Sequence, residues 1–431
     1  MRLRLAHLAQ EDSRLPATSD TVGSLTRVVH ELTLRLARRQ PLVVYSVRHR
    51  ASDPAVDERD GVRHVRLSPE PDRTLLAAWF RWRNRLGRRL GVAERPYAAS
   101  PAYYWTYIRR VARRVAADSP DVVHLHNVSQ FVPPLRRAVP DARIVLHMHC
   151  DWLVELPRPV VVRRLAGVDL VLGVSEHVAG LVRRAFPALA TRCRVLHNGV
   201  DPTRFRPRGE LAGKDASVVD ALRARLGIRG PVILYVGRLS SEKGVHLLLE
   251  AFGRVRERSP EATCLIAGPD WGPLRRVRAG SGAASLDDDY VGHLRRVAAP
   301  HAARAVLVGA VPNGELPIWY ALADVVAAPS LVEAFGIPAI EAGACGVPVV
   351  GSAIGGLLDT VVHGRTGLLL PAGDAGALAD ALDALLRDPV RARALGAAGR
   401  ERVLAHFTWD RIADRLASYY DELMSGTARA A

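Results

Sequence analysis

The chain of 431 residues is almost without lysine: Lys214 and Lys243 are the two among 60 basic residues, and the rest are arginine. Such a bias reflects genome composition more than chemistry, but it draws attention to each lysine that survives. Cysteine is equally sparse. Cys150, Cys193, Cys264 and Cys345 are scattered without a CxxC spacing, which excludes a disulfide framework and predicts reduced, mostly buried thiols. No apolar run approaches the ~18 residues a membrane span needs, so a spanning helix is excluded. Met1-Arg-Leu-Arg-Leu-Ala-His-Leu-Ala alternates like a strand and lacks the apolar stretch of a secretory signal. The expectation is a cytosolic protein.

A chain this long exceeds one ordinary core and predicts two domains of roughly 200 residues each. Hydrophobic content of 48% and charged content of 24% belong to a globular protein. The net charge of +16 is unevenly spread. Residues 1–200 hold 33 basic and 18 acidic groups, whereas residues 201–431 hold 27 and 26, so the first half is basic and the second neutral. Within the basic half, Arg73 to Arg114 carries eleven arginines against the single acid Glu94, interleaved with Trp79, Phe80, Trp82, Tyr103, Tyr104 and Trp105. Leu75, Trp79, Trp82, Leu86 and Leu90 recur at helical spacing. Two readings stand: a helix packed on its own domain with a solvated arginine face, or a surface element facing anionic lipid on the inner side of the cell membrane. Nucleic acid is not expected as a partner, because no recognised nucleic-acid module accompanies the charge.

Short apolar runs alternate with helical segments along both halves, the pattern of an α/β protein whose parallel sheets carry helices on both faces. In the first half, strands are predicted near Arg2–Leu8, Leu42–Val47, Val122–His126, Arg143–His149 and Asp169–Val174, with a helix from about Val22 to Arg39. In the second, strands are predicted at Pro231–Gly237, Ala262–Gly268, Ala305–Gly309 and Asp324–Pro329, with a helix over Gly244–Arg258 and a loop over Trp271–Asp289. The expected division is a first domain over residues 1–201, a Pro/Gly-rich linker over 202–230, and a second domain over 231–405. A last segment, 406–431, carries a helix that docks back toward the first domain through Trp409, Ile412, Leu416, Tyr419, Tyr420 and Leu423. Two doubly wound domains facing across a cleft is the predicted architecture, with ligands outside the carboxyl ends of the strands.

The most informative stretch is Glu333-Ala-Phe-Gly-Ile-Pro-Ala-Ile-Glu341. Pro338 suits a first helical turn, which places the backbone N–H groups of Phe335, Gly336 and Ile337 at a positive helix end, a seat for phosphate. Glu341 lies one turn inward and can accept hydrogen bonds from sugar hydroxyls. A second anion seat follows the strand ending at Gly237, where Arg238 and Lys243 flank the turn into the next helix. Two cations with helix N–H groups suit a diphosphate whose charge grows as it leaves a sugar, and each well-placed donor is worth ~3–4 kcal/mol to such a step. Glu333 and Glu341 could instead form the acid–base couple of a hydrolase. The following Gly343-Ala-Cys-Gly-Val-Pro-Val-Val-Gly-Ser favours the nucleotide-sugar reading, because it ends a helix and returns a strand whose end at Gly351–Gly356 brings backbone to the site.

Taken together, Val236-Gly-Arg-Leu…Glu-Lys-Gly, Pro329-Ser…Glu333-Ala-Phe-Gly…Glu341-Ala…Cys-Gly-Val-Pro-Val-Val, Gly355-Gly and Gly364-Arg-Thr-Gly-Leu-Leu resemble glycosyltransferase family 4, retaining enzymes of the GT-B fold. His197-Asn-Gly-Val-Asp201 resembles the family's entry into its second domain, and the first half is covered more loosely by Gly23…His30-Glu31-Leu32, His124-Leu-His-Asn and Val145-Leu-His-Met-His149. The resemblance implies that Arg238 and Lys243 hold the donor diphosphate, that Glu341 binds the ribose, and that Glu333 contacts the transferred sugar. It implies that backbone at Phe335, Gly336 and Ile337 meets phosphate and sugar hydroxyls, that Val311 and Pro312 border the base, and that His149 stands near the reacting sugar. Neither a metal nor a cofactor is implied; the leaving phosphate would help deprotonate the acceptor.

Two departures mark this chain. Gly23-Ser24 stands where the family has paired glycines before the first helix, leaving Ser24 to offer its N–H to the donor phosphate and to cap the helix. Ala-Gly-Ala follows Glu341 in place of a bulkier residue. His124, His126, His147 and His149 pair as His-x-His on two strand ends, each pair on one face. A zinc site there lacks a carboxylate or cysteine to complete a familiar spacing, and one catalytic His149 among neighbouring histidines is the preferred account. The function expected is transfer of a sugar from a UDP- or GDP-type donor to a sugar, lipid-linked or small-molecule hydroxyl acceptor. The other readings are a GT-B sugar-nucleotide epimerase and a non-catalytic nucleotide-sugar-binding protein.

Overall fold

Buried β-branched and leucine-rich runs form the strands, and amphipathic segments between them form the crossovers. The computed structural model describes residues 2–10, 15–17, 24–80, 82–83, 103–211, 213–270 and 289–426. They fall into two units, residues 1–197 with 412–431, and residues 198–411.

The first unit is built on eight strands: β1 Leu5–Leu8, β2 Leu42–Val47, β3 Val56–Arg59, β4 Val62–Leu67, β5 Val122–His126, β6 Arg143–Met148, β7 Leu170–Gly173 and β8 Cys193–Val195. Their order is β3-β4-β2-β1-β5-β6-β7-β8, parallel throughout except for β3. The β3–β4 hairpin was not expected from apolar runs, since β3 is exposed and polar. Its turn is Asp60-Gly61 with φ of 54° and 73°, the left-handed pair that a two-residue hairpin loop demands. The first helix spans Ser24–Ala37. Ser24 already lies within the helix rather than capping it, and Gly23 lies outside the described residues.

Helix Trp105–Asp118 is anchored by Asp72, whose buried carboxylate accepts from the backbone N–H of Thr106 at 2.9 Å and of Tyr107 at 2.8 Å. These groups would otherwise be orphan donors of the first turn. Leu75, Trp79 and Trp82 of the expected apolar stripe are exposed, whereas Leu86 and Leu90 lie outside the described residues.

The C-terminal helix Trp409–Ser425 belongs to this unit from Ile412 onward. Leu416 and Tyr420 are buried, Tyr419 donates its hydroxyl proton to the Val195 carbonyl at 3.0 Å, and Arg194 pairs with Glu422. Under this helix the first sheet has a polar core. His7 on β1, His124 and His126 on β5 and His147 on β6 are fully buried, and the Tyr420 hydroxyl lies 2.7 Å from His124 Nδ1 and 3.1 Å from His7 Nε2.

The second unit carries β9 Val232–Val236, β10 Thr263–Ala267, β11 Ala305–Gly309, β12 Val325–Ala328, β13 Val349–Ser352 and β14 Gly367–Leu370, in the order β11-β10-β9-β12-β13-β14 and wholly parallel. The strand order reverses between β9 and β12, the switch point outside which ligands bind in doubly wound sheets. The predicted 202–230 linker is corrected: it contains helix Lys214–Arg225, and Val219, Leu222 and Ile228 are buried within the second unit. Apolar residues at these positions dock the segment, so its Pro/Gly content marks turns rather than a free connection. All but the last residue of the expected 271–289 loop lies outside the described residues.

Burial holds His7 and His147 near a pKa of about 3, with the His147 charge adding to the effect at His7. Their folded values lie below the 6.5 of the unfolded chain, so between these limits the unfolded state binds more protons. Stability from their burial is complete above pH 6.5 and is lost as pH falls toward 3, by at most about 1.4 kcal/mol per pH unit for each histidine. Denaturant unfolding at pH 7.5, 6 and 5 should show a midpoint that falls steadily with acid, and a flat midpoint would contradict buried neutral histidines.

Candidate functional site

All strands of the second sheet are parallel, so the turns after β9, β11 and β12 leave the same edge. Arg238 and Lys243 follow β9, Val311 and Pro312 follow the edge strand β11, and Glu333 to Glu341 follow β12. Two glycines let these turns close on one another. Gly244 has φ of +65°, and a Cβ there would lie 2.0 Å from the Pro329 carbonyl oxygen; Gly355 has φ of +50°, and a Cβ there would lie 2.0 Å from the Glu333 carbonyl oxygen. Both left-handed conformation and backbone contact require the absence of a side chain.

Backbone hydrogen bonds complete the frame. Leu331 and Val332 donate to the Glu242 carbonyl at 2.8 and 3.1 Å, and Gly356 donates to the Glu333 carbonyl at 3.0 Å. The segment bearing Glu333 is therefore held from both sides.

Inside this frame Lys243 Nζ donates to Glu333 Oε2 at 2.9 Å and to the Val332 carbonyl at 3.1 Å, and Ser330 Oγ donates to the same carboxylate oxygen at 3.2 Å. The Lys243 and Glu333 side chains are each about one-seventh exposed, at 14% and 16%, enough shelter for the charges to act strongly on a ligand. Arg238 is more open and pairs with Glu242 at 3.0 Å. Tyr235 donates its hydroxyl proton to the Arg238 carbonyl at 2.7 Å. Burial, reinforced by the Glu333 charge, pushes the Tyr235 phenol well above its usual range, so it remains a donor and pins the turn.

Helix Ile337–Ala344 starts behind Gly336, with Pro338 in its first turn. Phe335, Gly336 and Ile337 thus form its N-terminus, as their order in sequence suggests. Glu341 is buried and accepts a hydrogen bond from the Tyr320 hydroxyl at 2.8 Å. Burial first, and the neighbouring carboxylate second, raise the Tyr320 phenol well above its ordinary range, leaving it a proton donor to Glu341.

Glu242, Ser330 and Tyr320 were not read from sequence as parts of the site. Glu242 and Ser330 sit inside the motifs already singled out and carried a signal. Tyr320 comes from helix Leu316–Leu322, 21 positions before its partner, and nothing in its spacing announces the contact.

The remaining predicted residue, His149, lies in the first unit just after β6. It is partly exposed, its backbone N–H donates to Asn127 Oδ1 at 2.7 Å, and its Nε2 lies 3.1 Å from His126 Nδ1. His124, His126 and His147 offer nitrogens within 4.8 Å of one another. Zinc with ~2.0 Å bonds to nitrogen sets its ligands about 3.3 Å apart. The trio's nitrogens are near enough to one another to hold a metal ion, and His126 shares its nitrogens with other histidines.

Comparison with known proteins fits this geometry. Residues 25–204 match the model of Glycosyltransferase Family 4, and residues 219–402 match that of Glycosyl transferases group 1. The chain is 34% identical to a GDP-mannose-dependent alpha-(1-6)-phosphatidylinositol monomannoside mannosyltransferase of Mycobacterium tuberculosis, over 67% of this chain and 72% of that one. It is 31% identical to a D-inositol 3-phosphate glycosyltransferase of Xylanimonas cellulosilytica, over 97% of this chain and 96% of the relative. Among solved structures, sucrose-phosphate synthase of Thermosynechococcus elongatus superimposes with a TM-score of 0.77 at 26% identity, covering 98% of this chain and all of that one. With two doubly wound parallel sheets and matches along both halves, the chain belongs to the family 4 glycosyltransferases of the GT-B fold.

Proposed function

We propose that this glycosyltransferase moves a hexose from a nucleoside-diphosphate sugar, of the UDP or GDP type, to a hydroxyl acceptor with retention of configuration. One observation carries the reading: Arg238, the Lys243–Glu333 pair and the N-terminus of helix Ile337–Ala344 converge at the carboxyl ends of β9 and β12.

In this reading the donor diphosphate replaces a carboxylate as the partner of Arg238 and Lys243. Gly336 and Ile337 add backbone donors at a positive helix end. Glu341, oriented by Tyr320, takes the ribose hydroxyls; Glu333 takes hydroxyls of the transferred sugar; Val311 and Pro312 border the base; and His149 faces the reacting sugar. The bond from the anomeric carbon to the phosphate oxygen breaks as the bond to the acceptor oxygen forms on the same face. The leaving phosphate takes the acceptor's proton, and the two cations stabilise its growing charge. No metal ion is required by this scheme.

The acceptor side is proposed to be lipid-linked, with the protein peripheral on an anionic membrane surface. Leu75, Trp79, Trp82 and Trp105 are exposed, and arginines flank them. Arg83 lies over the Trp79 and Phe80 rings at 5.8 and 4.9 Å, and Arg109 over Trp105 at 4.0 Å. Exposed indoles beside guanidinium groups suit a headgroup layer. Among the described residues no helix is long and apolar enough to cross a membrane.

Saturating UDP or GDP should raise the thermal midpoint of the wild-type protein by mass action. Lys243→Ala leaves Glu333 uncompensated beside the diphosphate, so it should abolish that shift and lower turnover by roughly 100-fold. Unaltered nucleotide stabilisation and turnover in this variant would refute the assignment. In flotation assays the protein should rise with vesicles containing anionic phospholipid and not with zwitterionic ones. Trp79→Ala with Trp82→Ala should weaken that binding by about tenfold or more, whereas binding indifferent to either change would remove the membrane proposal.

A further inference from the structure

The stretch that opens the second unit takes no part in the reading above, yet it is closely built. The Asp201 carboxylate accepts from the Thr203 backbone N–H at 2.9 Å and from the Thr203 hydroxyl at 2.7 Å. The Asp201 carbonyl accepts from the N–H groups of Arg204 at 3.2 Å and Phe205 at 3.0 Å. A turn closed by its own Asp side chain in this way fixes the directions of the side chains that follow it. Phe205 is buried and Arg204 is half-buried.

Both side chains land on one element. Arg204 Nη2 donates to the Asn313 carbonyl at 3.2 Å and to Asn313 Oδ1 at 3.3 Å. The Phe205 ring meets the Tyr320 ring edge-on, with centroids 5.7 Å apart and an interplanar angle of 66°. Asn313 stands at the entry to helix Leu316–Leu322, where its carbonyl also accepts from the Leu316 N–H at 3.3 Å, and Tyr320 lies within that helix. Two residues adjacent in sequence thus hold this element at two points. The first point is a guanidinium donor that stays charged at any pH the fold tolerates. The second is a directional ring contact, which fixes the orientation of Tyr320 as well as its depth.

The two points matter because of what stands beside them. Val311 and Pro312, which border the base in the donor reading, immediately precede Asn313. Tyr320 donates to Glu341 at 2.8 Å, and Glu341 takes the ribose in the same reading. Base and ribose are joined by one bond, so a site that receives both needs its two halves at a set spacing. Ordering that spacing before the ligand arrives removes its cost from the binding step. Arg238 and Lys243, the cations for the diphosphate, come from a different turn, the one after β9.

We propose that Arg204 and Phe205 are positioning residues for the nucleoside half of the donor, acting through Asn313 and Tyr320 to keep the base border and the ribose acceptor at a fixed spacing. The inference deepens the donor reading and rests on it. It divides the labour over one ligand: Arg204 and Phe205 serve base and ribose, whereas Arg238 and Lys243 serve the diphosphate.

Isothermal titration of the full chain with UDP, GDP and inorganic pyrophosphate tests this division. Arg204→Ala should weaken binding of the nucleoside diphosphate by about tenfold and leave that of pyrophosphate unchanged. Phe205→Leu, which keeps an apolar side chain but removes the ring edge, should act in the same direction. Arg206→Ala removes a neighbouring arginine that pairs with Asp215; it should alter neither affinity and so controls for lost positive charge. Nucleotide binding unmoved by Arg204→Ala, or pyrophosphate binding weakened to the same extent, would overturn the proposal. So would an equal effect of Arg206→Ala, or a wild type that binds nucleotide but not pyrophosphate. Arg204→Ala decides by itself if Phe205→Leu does not fold. A wild type that binds neither UDP nor GDP would overturn the donor reading and this inference with it, whereas wild-type binding that Arg204→Ala leaves intact overturns this inference alone.

Discussion

The ion pair between Lys243 and Glu333 is the constraint on which the second unit's site depends. It ties the turn after β9 to the turn after β12 across the point where strand order reverses. It also sets a cation and an anion side by side, sheltered but reachable, where a nucleoside-diphosphate sugar offers a matching anion and hydroxyls. Removing either partner leaves a lone charge in a sheltered place, which costs more than the pair contributes. The surrounding features serve that placement. Gly244 and Gly355 admit backbone contacts no other residue allows, and the carbonyls of Glu242 and Glu333 fix the intervening loop.

The two units meet the problem of buried polarity differently. In the second, each sheltered acid at the site has a specific donor: Tyr320 for Glu341, and Lys243 with Ser330 for Glu333. In the first, buried imidazoles and one phenol lie within hydrogen-bonding distance of one another at the switch point between β1 and β5. The arrangement binds the end of the chain to its beginning, since Tyr420 rests on His7.

Much of this was legible in the sequence because it follows from local rules. Apolar runs such as Val232–Val236 can hardly be other than buried strands, and Pro338 marks a helix start wherever the chain then leads. Glu333, Lys243 and Arg238 stand beside turns whose glycines announce them. What the sequence concealed was long-range or low in contrast. Tyr320 reaches Glu341 from another helix, and His7 joins His124 and His126 only because β1 pairs with β5. Strand β3, exposed and polar, carried no apolar signal, although Asp60-Gly61 did mark its turn. The stretch 202–230 reads as a linker by composition, yet Val219, Leu222 and Ile228 give it a core of its own to join.

The most direct measurement is a crystal structure with a nucleoside diphosphate bound. The account predicts the pyrophosphate against Arg238 and Lys243, with its oxygens at the backbone of Gly336 and Ile337. Density for the diphosphate anywhere else on the chain, with the Lys243–Glu333 pair undisturbed and facing solvent, would contradict it.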